Sequence, residues 1–197
     1  IELLKSFFTE EECRLIINDF EDNKEHIILS NEHGVIEIGS YEIDGRHFSE
    51  NIKNTIQEKI GGIILTKTDG YVGQLFGVKY SLDTKSFMET HYDGNESTCV
   101  VALNNDFEGG GTSFPLSGGV YKPTTGDGYI FNANKINSYH GGHPVTKGIR
   151  YALVIKIFRK NKLRQLMDMI FLYFVDKYLN KHTDTHHKEI KKEIYNN

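Results

Sequence analysis

The N-terminal part of the chain carries apolar residues at the spacing of amphipathic helices. Residues 9–12, Thr-Glu-Glu-Glu, match a capping box, and apolar residues follow at three- and four-residue steps. We therefore predict a first helix near 9–22. A second helix is expected to begin at Ser49, with isoleucines along one side, and to end at Gly61-Gly62.

Elsewhere the pattern is the short alternation of β-strands. Residues 35–43 alternate apolar and polar positions, and from Tyr71 short β-rich runs are separated by Gly, Asn and Asp turns. Such runs are typical of an all-β barrel or a double-sheet roll. The chain is therefore predicted to be mainly β, of the α+β kind, with helices packed on one sheet.

The last of these runs has two different faces, because side chains two residues apart project from the same side of a strand. One face comprises Arg150, Ala152, Val154 and Lys156, and the other comprises Tyr151, Leu153, Ile155 and Ile157. A lysine that pointed inward would be costly unless it reached solvent or a carboxylate. We favour a strand that has reached the barrel mouth at Lys156, with a substrate-binding charge as the alternative.

After the β-rich part, residues 161–180 have the pattern of one more amphipathic helix. Its apolar face is formed by Leu163, Leu166, Met167, Ile170, Phe174 and Tyr178. The apolar run is too short to span a bilayer, so this face is expected to pack against the core or in a homodimer, with membrane-surface contact as the alternative. We expect one domain at 1–160, followed by this helix and a charged, frayed tail within 161–197.

Composition adds little to this picture but excludes some classes. The chain has 197 residues, of which 38% are hydrophobic and 25% charged, as in ordinary globular domains. A net charge of −4 lacks the excess of positive charge that is typical of nucleic-acid-binding domains, so no nucleic-acid partner is expected. Cys13 and Cys99 are expected to be free thiols. The chain begins at Ile1, so a cytoplasmic location is expected if it is complete and a secretory lumen if a signal has been removed.

Two short motifs point to a metal centre. His91-Tyr92-Asp93 spaces a histidine and an aspartate two residues apart, and if 87–92 form a strand both side chains reach one ion. A distant second histidine would complete the facial triad that holds non-haem iron(II) with open positions. Zinc in a hydrolytic site is an alternative for the same ligands. His182-Thr183-Asp184 matches the same motif, but it lies in a polar stretch and is interpreted as a solvated tail.

From Tyr80 to Ile157 the chain resembles the catalytic domain shared by prolyl 4-hydroxylases and procollagen lysyl hydroxylases. Each shared segment is a weak signal alone, but their order and spacing are specific. They are Tyr80, His91-Tyr92-Asp93, residues 101–104 (Val-Ala-Leu-Asn), residues 107–112 (Phe-Glu-Gly-Gly-Gly-Thr), residues 122–128 and residues 140–151 (His-Gly-Gly-His-Pro-Val-Thr-Lys-Gly-Ile-Arg-Tyr). The resemblance implies a double-stranded β-helix (jelly-roll) core with N-terminal helices on one sheet and a C-terminal helix.

The same resemblance implies the ligand set. In the family the distal histidine precedes the basic residue for 2-oxoglutarate by ten positions, as His140 precedes Arg150. Iron(II) would then be held by His91, Asp93 and His140, and Arg150 would grip the far carboxylate through its planar guanidinium. His143, only seven positions before Arg150, is expected to pack beside the metal strand, with a substrate or outer contact as the alternative.

Two further cofactor-binding residues are suggested with less support from the motifs. Tyr80 would face the cosubstrate near its metal-binding end, or else pack as an ordinary barrel aromatic. The polar partners that relatives place at the positions of Ala102 and Val100 are missing, so Thr98 is a candidate helper for Arg150. Relatives also tend to have an aromatic residue where this chain has Lys156.

The resemblance implies an iron(II)- and 2-oxoglutarate-dependent dioxygenase that uses dioxygen and hydroxylates a residue of a peptide or protein. Proline is the first expectation, with decarboxylation of 2-oxoglutarate to succinate. Peptidyl lysine, as in procollagen lysyl hydroxylases, is the alternative, and an inactive binding module on the same barrel is a further one. L-Ascorbate is expected as a cofactor because relatives use it to rescue oxidised iron. The dicarboxylate grip of Arg150 argues against the inactive module and the zinc hydrolase.

Overall fold

A computed structural model describes residues 1–26, 28–29, 41–64, 70–161, 163–164, 166–175 and 177. These residues form mostly antiparallel β-sheets with few helices, as the pattern predicted. The strands are β1 (Glu2–Leu4), β2 (Ile28–Leu29), β3 (Tyr41–Asp44), β4 (Gly70–Ser81), β5 (Ser97–Ala102), β6 (Glu108–Gly109), β7 (Thr112–Phe114), β8 (Gly119–Tyr121), β9 (Gly128–Asn132), β10 (Gly141–Gly142), β11 (Val145–Lys147) and β12 (Ile149–Arg159).

The first helix, α1 (Glu10–Asp22), begins where the capping box predicted. The Thr9 hydroxyl accepts a hydrogen bond from the Glu12 backbone N–H at 3.1 Å, and Glu12 Oε2 accepts one from the Thr9 N–H at 2.7 Å. This reciprocal pairing satisfies N–H groups that the first turn of a helix leaves without partners. The face predicted to be apolar is buried through Cys13, Ile16 and Phe20.

The second helix, α2 (Glu50–Lys59), begins as predicted but does not end at the two glycines. A π-helical turn continues over Ile60–Ile64. Glycine ends a helix most readily when it adopts the left-handed conformation, and neither Gly61 nor Gly62 does so. The Ser49 N–H, just before α2, donates to Asp19 Oδ2 at 2.8 Å and so connects the two helices.

A seven-stranded sheet in the order β1-β9-β5-β12-β4-β3-β2 carries both the helices and the inner cavity. Its longest pair joins β4 to β12. Of the strand predicted over 35–43, residues 41–43 belong to β3, and 35–40 lie outside the described residues. The two predicted faces of β12 are confirmed. The apolar face joins one buried cluster with α1 and α2, and Ala152 belongs to a separate cluster on the other side.

Two small sheets face the inner side of the large one. They have the orders β10-β7-β8 and β11-β6. Phe114 of β7 and Val145 of β11 pack in one cluster with Val100 and Tyr129 of the large sheet. The inner cavity is therefore enclosed between sheets, whereas the helices cover the opposite side. Cys13 and Cys99 are buried free thiols, as expected.

The C-terminal helix, within 163–177, does not pack as predicted. The apolar residues expected to face the core are exposed, namely Leu163, Leu166, Met167, Ile170 and Phe174, while Tyr178 lies outside the described residues. Leu172 is buried instead, and Arg159 Nη2 lies 3.6 Å from Asp168 Oδ2. Periodicity identifies an apolar stripe but not its partner, so core packing of this face is wrong and homodimer packing stays a prediction.

Among the described residues, no helix combines the length and the apolar composition needed to cross a bilayer. The second His-x-Asp motif, at 182–184, and the predicted tail lie outside the described residues.

Gly126 is the backbone position on which docking of the N-terminal segment depends. Its φ is +80°, and a Cβ there would lie 2.1 Å from the Phe8 carbonyl oxygen. The Phe8 N–H also donates to the Gly126 carbonyl at 3.0 Å, just after β1 has paired with β9. The N-terminal segment can therefore approach only a residue without a side chain.

We predict that Gly126→Ala lowers the free energy of unfolding by about 2–4 kcal/mol, from left-handed strain plus the clash with Phe8. Gly118→Ala is the matched control, because Gly118 also has a positive φ, +70°, but open space around its Cβ position. It should cost only about 1 kcal/mol. Urea unfolding of both variants measures the difference, and equal losses would contradict a role for the Phe8 contact.

Candidate metal and cosubstrate site

The two histidines of the predicted triad are joined through their backbones. The His91 N–H donates to the His140 carbonyl at 2.7 Å, and the His140 N–H donates back to the His91 carbonyl at 3.1 Å. This is an isolated antiparallel bridge, so the strand expected over 87–92 is wrong. The loop that carries His91 is held in place by this pairing with His140, just before β10, and not by strand pairing along its length.

Both imidazole rings are fixed in the tautomer that suits a metal ligand. Nδ1 of His91 lies 2.8 Å from the Glu89 carbonyl oxygen, and Nδ1 of His140 lies 2.8 Å from that of Ser138. Because a carbonyl oxygen only accepts, each Nδ1 carries the proton and each Nε2 keeps its lone pair. Hydrogen bonds of this kind orient histidine ligands in metalloproteins.

Asp93 is almost completely buried, with its side chain 2% exposed. Thr98 Oγ1 donates to Asp93 Oδ2 at 2.6 Å, and Lys156 Nζ lies 2.9 Å from Oδ1. Burial alone would raise the pKa of Asp93, but Lys156 and the two histidines together hold it well below its ordinary value. The carboxylate is therefore ionised and ready to bind a cation.

His140 is buried against aromatic rings, which keeps its imidazole neutral. The ring stacks on Phe114 at a centroid distance of 5.5 Å and meets Phe131 edge-on at 4.8 Å. Burial lowers the pKa of His140 to about 4, although the nearby Asp93 raises it in part. A neutral ring at physiological pH is the form that coordinates a metal.

The ligand atoms of His91, Asp93 and His140 converge. They all lie within 4.8 Å of one another, and His91 Nε2 and His140 Nε2 are each 3.5 Å from an oxygen of Asp93. Two imidazoles and one carboxylate match the donor set of the iron(II) facial triad. The residues present therefore fit the metal that the motifs predicted.

Arg150 lies at a second corner of the same cavity, where it is 6% exposed. Its Nη2 is 3.5 Å from Thr112 Oγ1, and its guanidinium lies 5.2 Å from the centre of the Tyr80 ring. In the part of the chain that the structure describes, no carboxylate pairs with this guanidinium. A buried cation without a counter-ion is costly, so the corner is suited to an anionic ligand.

One small cavity of about 60 Å³ connects the two corners, since both the triad and Arg150 line it. A much larger groove of about 960 Å³ adjoins it and shares Glu42, Phe76 and Lys156 with it. The site thus has an enclosed part with a metal-binding end and a cationic end. It also has an open part large enough for a bulky substrate.

The expectation that Thr98 assists Arg150 is wrong. Thr98 lies on β5 and pairs with Lys156 of β12, which is six residues beyond Arg150. The backbone of Thr98 is therefore roughly 20 Å from that of Arg150 along the strand. Its hydroxyl binds Asp93 instead. Tyr80 lies directly opposite Arg150 in the β4–β12 register, so its ring is at the cationic corner. Contact of Tyr80 with the metal-binding end of a cosubstrate stays a prediction.

Two other expectations are corrected. Lys156 has not reached solvent at the barrel mouth, because it is 8% exposed and ion-paired to Asp93. The sequence placed it on the inward face but could not identify its carboxylate partner. His143 is exposed rather than packed beside the metal strand. Its backbone N–H donates to the Gly111 carbonyl at 3.0 Å. It lies outside the triad cluster.

The fold is that of 2-oxoglutarate- and iron(II)-dependent oxygenases. A viral collagen prolyl hydroxylase from Paramecium Bursaria Chlorella virus-1, solved with 2-oxoglutarate, superposes with a TM-score of 0.59 at 20% identity, covering 80% of this chain and 94% of that one. A Trichoplax adhaerens prolyl hydroxylase solved with a hypoxia inducible factor peptide gives 0.62 at 12% identity, covering 80% and 83%. No family model matches the chain.

Sequence relatives carry the same two activities in their names. A protein of Acanthamoeba polyphaga mimivirus named as a prolyl 4-hydroxylase is 41% identical over 61 residues, 27% of this chain and 25% of that one. Procollagen-lysine,2-oxoglutarate 5-dioxygenase 1 of Bos taurus is 27% identical over 163 residues, 75% of this chain and 22% of that one. The chain thus spans about a quarter of these relatives. Together these likenesses confirm the resemblance to the prolyl and lysyl hydroxylase family.

The Lys156–Asp93 pair leads to a prediction about metal affinity. We expect Lys156→Met to bind Mn(II) about tenfold more tightly, because a buried cation no longer competes for the carboxylate. The metal-free variant should lose roughly 3 kcal/mol of unfolding free energy, because Asp93 keeps its charge without its partner. Anaerobic calorimetry and urea unfolding measure the two effects.

Lys79→Met provides the control for that substitution. Lys79 is also a mostly buried lysine in an ion pair, 2.7 Å from Glu21, but it lies on β4 away from the cavity. Its loss should change stability without changing the affinity for Mn(II). Weaker Mn(II) binding by Lys156→Met than by the parent chain would show that the ammonium supports the site rather than competing with the metal.

Proposed function

We propose that the protein is an iron(II)- and 2-oxoglutarate-dependent dioxygenase that hydroxylates a peptidyl residue, most simply proline. The observation that carries this proposal is the buried Arg150, which has no carboxylate partner among the described residues, in the same cavity as a converged His-Asp-His cluster. A metal site alone fits many reactions. A metal site with a dicarboxylate grip at its far end fits a chelating cosubstrate that has a second carboxylate.

Each side chain has a role in this proposal. Nε2 of His91, Nε2 of His140 and the Asp93 carboxylate would hold the metal, while the backbone carbonyls behind both rings keep them oriented. Iron(II), when bound, would supply the oxidative chemistry that converts 2-oxoglutarate and dioxygen to succinate and carbon dioxide and hydroxylates a C–H bond. Arg150 would neutralise the distal carboxylate. The aromatic wall of Phe114 and Phe131 keeps water from His140. L-Ascorbate as a cofactor and a jelly-roll arrangement of the sheets are further parts of the proposal.

A peptide substrate is supported by the groove beside the cavity. At about 960 Å³ the groove has room for part of a peptide, and it shares the lining residues Phe76 and Lys156 with the cavity. The Trichoplax adhaerens relative was solved with a peptide, and the viral relative is a collagen prolyl hydroxylase. Lysine is the second candidate residue, because the longer sequence similarity is to a procollagen lysyl hydroxylase.

Turnover of 2-oxoglutarate is the direct test. We expect succinate to form with iron(II), ascorbate and dioxygen, and to increase when a proline-rich peptide is added. Mass spectrometry of the peptide should then show a gain of one oxygen on proline, and a lysine-containing peptide tests the alternative. If the iron-loaded protein does not bind 2-oxoglutarate under anaerobic conditions, the proposed function is wrong.

The choice of distal ligand is tested by two histidine variants. His140→Ala should abolish turnover, because it removes a metal ligand and leaves Asp93 and His91 to hold the ion alone. His143→Ala should retain most of the activity, because this side chain is exposed and lies outside the cluster. Loss of turnover in His143→Ala with retention in His140→Ala would reverse the ligand assignment.

A further inference from the structure

Asn95 is a fully buried asparagine in the loop that carries two of the candidate metal ligands. It follows Asp93 by two residues, just before β5, and is 0% exposed. Its Nδ2 lies 2.6 Å from the Ser97 carbonyl oxygen and 3.3 Å from that of Ile157. Because both oxygens only accept, the NH₂ end of the amide must face them. The side chain is thus anchored at the end of the β5–β12 pairing, where Ser97 lies opposite Ile157.

The same amide contacts the Thr98 hydroxyl. Asn95 Nδ2 lies 3.1 Å from Thr98 Oγ1, and Asn95 Oδ1 lies 3.3 Å from it. A hydroxyl has one proton to donate, and Asp93 Oδ2, at 2.6 Å, is both the nearer and the charged acceptor. The Thr98 proton therefore points to Asp93, while the Thr98 oxygen accepts from Asn95. The three side chains form a chain of hydrogen bonds with one direction, in which each bond strengthens the next.

Anchoring of the loop does not by itself require this chain of hydrogen bonds. The Glu96 N–H donates to the Ile157 carbonyl at 2.9 Å, and the Ala133 N–H donates to the Glu96 carbonyl at 2.9 Å. Backbone bonds therefore already hold the end of the loop against β12 and the end of β9. An apolar side chain could fill the space of Asn95 without polar atoms that must be paired. What the amide adds is a donor aimed at the Thr98 oxygen.

We propose that Asn95 is a positioning residue for metal binding, because it holds the Thr98 hydroxyl as the donor to Asp93 Oδ2 and so fixes the orientation of this carboxylate. The inference rests on the metal site of the proposed function, to which it adds a residue that acts through Thr98. Lys156 binds the other oxygen of Asp93, but its charge opposes that of a metal ion. The hydroxyl brings no charge, so Asn95 and Thr98 orient the ligand without competing with the metal.

A double-mutant cycle with Mn(II) affinity as the readout tests the proposal. Hydrogen-bond partners of metal ligands change metal affinity by roughly 10–100-fold, so Asn95→Ala and Thr98→Val should each weaken Mn(II) binding about tenfold. The double variant should bind no more weakly than Thr98→Val alone, because Asn95 has no route to the carboxylate once the hydroxyl is gone. Thr98→Ser, which keeps the hydroxyl, should bind Mn(II) as the parent chain does. Anaerobic calorimetry measures all four variants.

Asn104→Ala is the matched control, because Asn104 also uses both ends of its amide to anchor a loop. Its Nδ2 donates to the Ile149 carbonyl and its Oδ1 accepts from the Tyr151 N–H, each at 2.7 Å, beyond the opposite end of β5. This variant should lower the midpoint of thermal unfolding and leave the Mn(II) affinity unchanged. An equal loss of affinity in Asn104→Ala and Asn95→Ala would overturn the proposal, because general loosening of the fold would then explain both.

If Asn95→Ala does not fold, the side-chain amide signal of Asn95 in ¹⁵N spectra replaces it. Saturating Zn(II), which is diamagnetic, should shift this signal in the parent chain and in Thr98→Ser but not in Thr98→Val. The hydroxyl is the link between the amide and the carboxylate, so its removal should isolate the amide from the metal. No shift in the parent chain, or a shift of the same size in Thr98→Val, overturns the role of Asn95.

The possible results separate this inference from the function on which it rests. A parent chain that does not bind Mn(II), or whose binding survives His140→Ala, contradicts the metal site of the proposed function. A parent chain that binds Mn(II) through His140 while Asn95→Ala keeps the parent affinity overturns the role of Asn95 alone. Losses that multiply to about a hundredfold in the double variant also overturn it, because Asn95 would then act independently of Thr98. Both of these results leave the proposed function standing.

Discussion

The two-way backbone bridge between His91 and His140 is the constraint on which the site depends. It fixes two candidate metal ligands that are far apart in sequence at a single point, with carbonyl contacts that orient both rings. Neither histidine belongs to a long strand, so these two hydrogen bonds do the positioning that a longer run of strand pairing would otherwise do. Asp93 then follows two residues after His91 and reaches the same point from the loop. The arrangement of the three side chains is therefore set by local backbone pairing rather than by a rigid sheet.

Charge is distributed unequally between the two ends of the cavity. At one end the Asp93 carboxylate already has a buried ammonium and a hydroxyl as partners. At the other end Arg150 has no carboxylate partner among the described residues. A divalent metal would add positive charge beside the Asp93 carboxylate, and a dicarboxylate would add negative charge beside the Arg150 guanidinium. If the proposed metal and dicarboxylate both bind, their opposite charges would favour each other across the cavity.

Local period and spacing in the sequence were enough to place the start of α1 and the two faces of β12, although not the end of α2 or the structure of residues 87–92. The capping box placed α1, and the two-residue period separated the faces of β12, with Arg150 and Lys156 on the inner one. The sequence could not supply register between strands. Thr98 was proposed as a helper for Arg150 because the polar residues that relatives place at the positions of Ala102 and Val100 are missing, yet the β5–β12 register puts Thr98 opposite Lys156.

The position of Lys156 shows how a register irregularity shapes the metal end. The pairing of β12 with β4 shifts between Lys156, opposite Gln74, and Ile157, opposite Val72. A bulge of this kind bends a strand and redirects nearby side chains. On the other side of β12 the pairing with β5 is unbroken through the same residues, so Lys156 and Thr98 stay in step. They can thus hold the two oxygens of one carboxylate, Lys156 at Oδ1 of Asp93 and Thr98 at Oδ2.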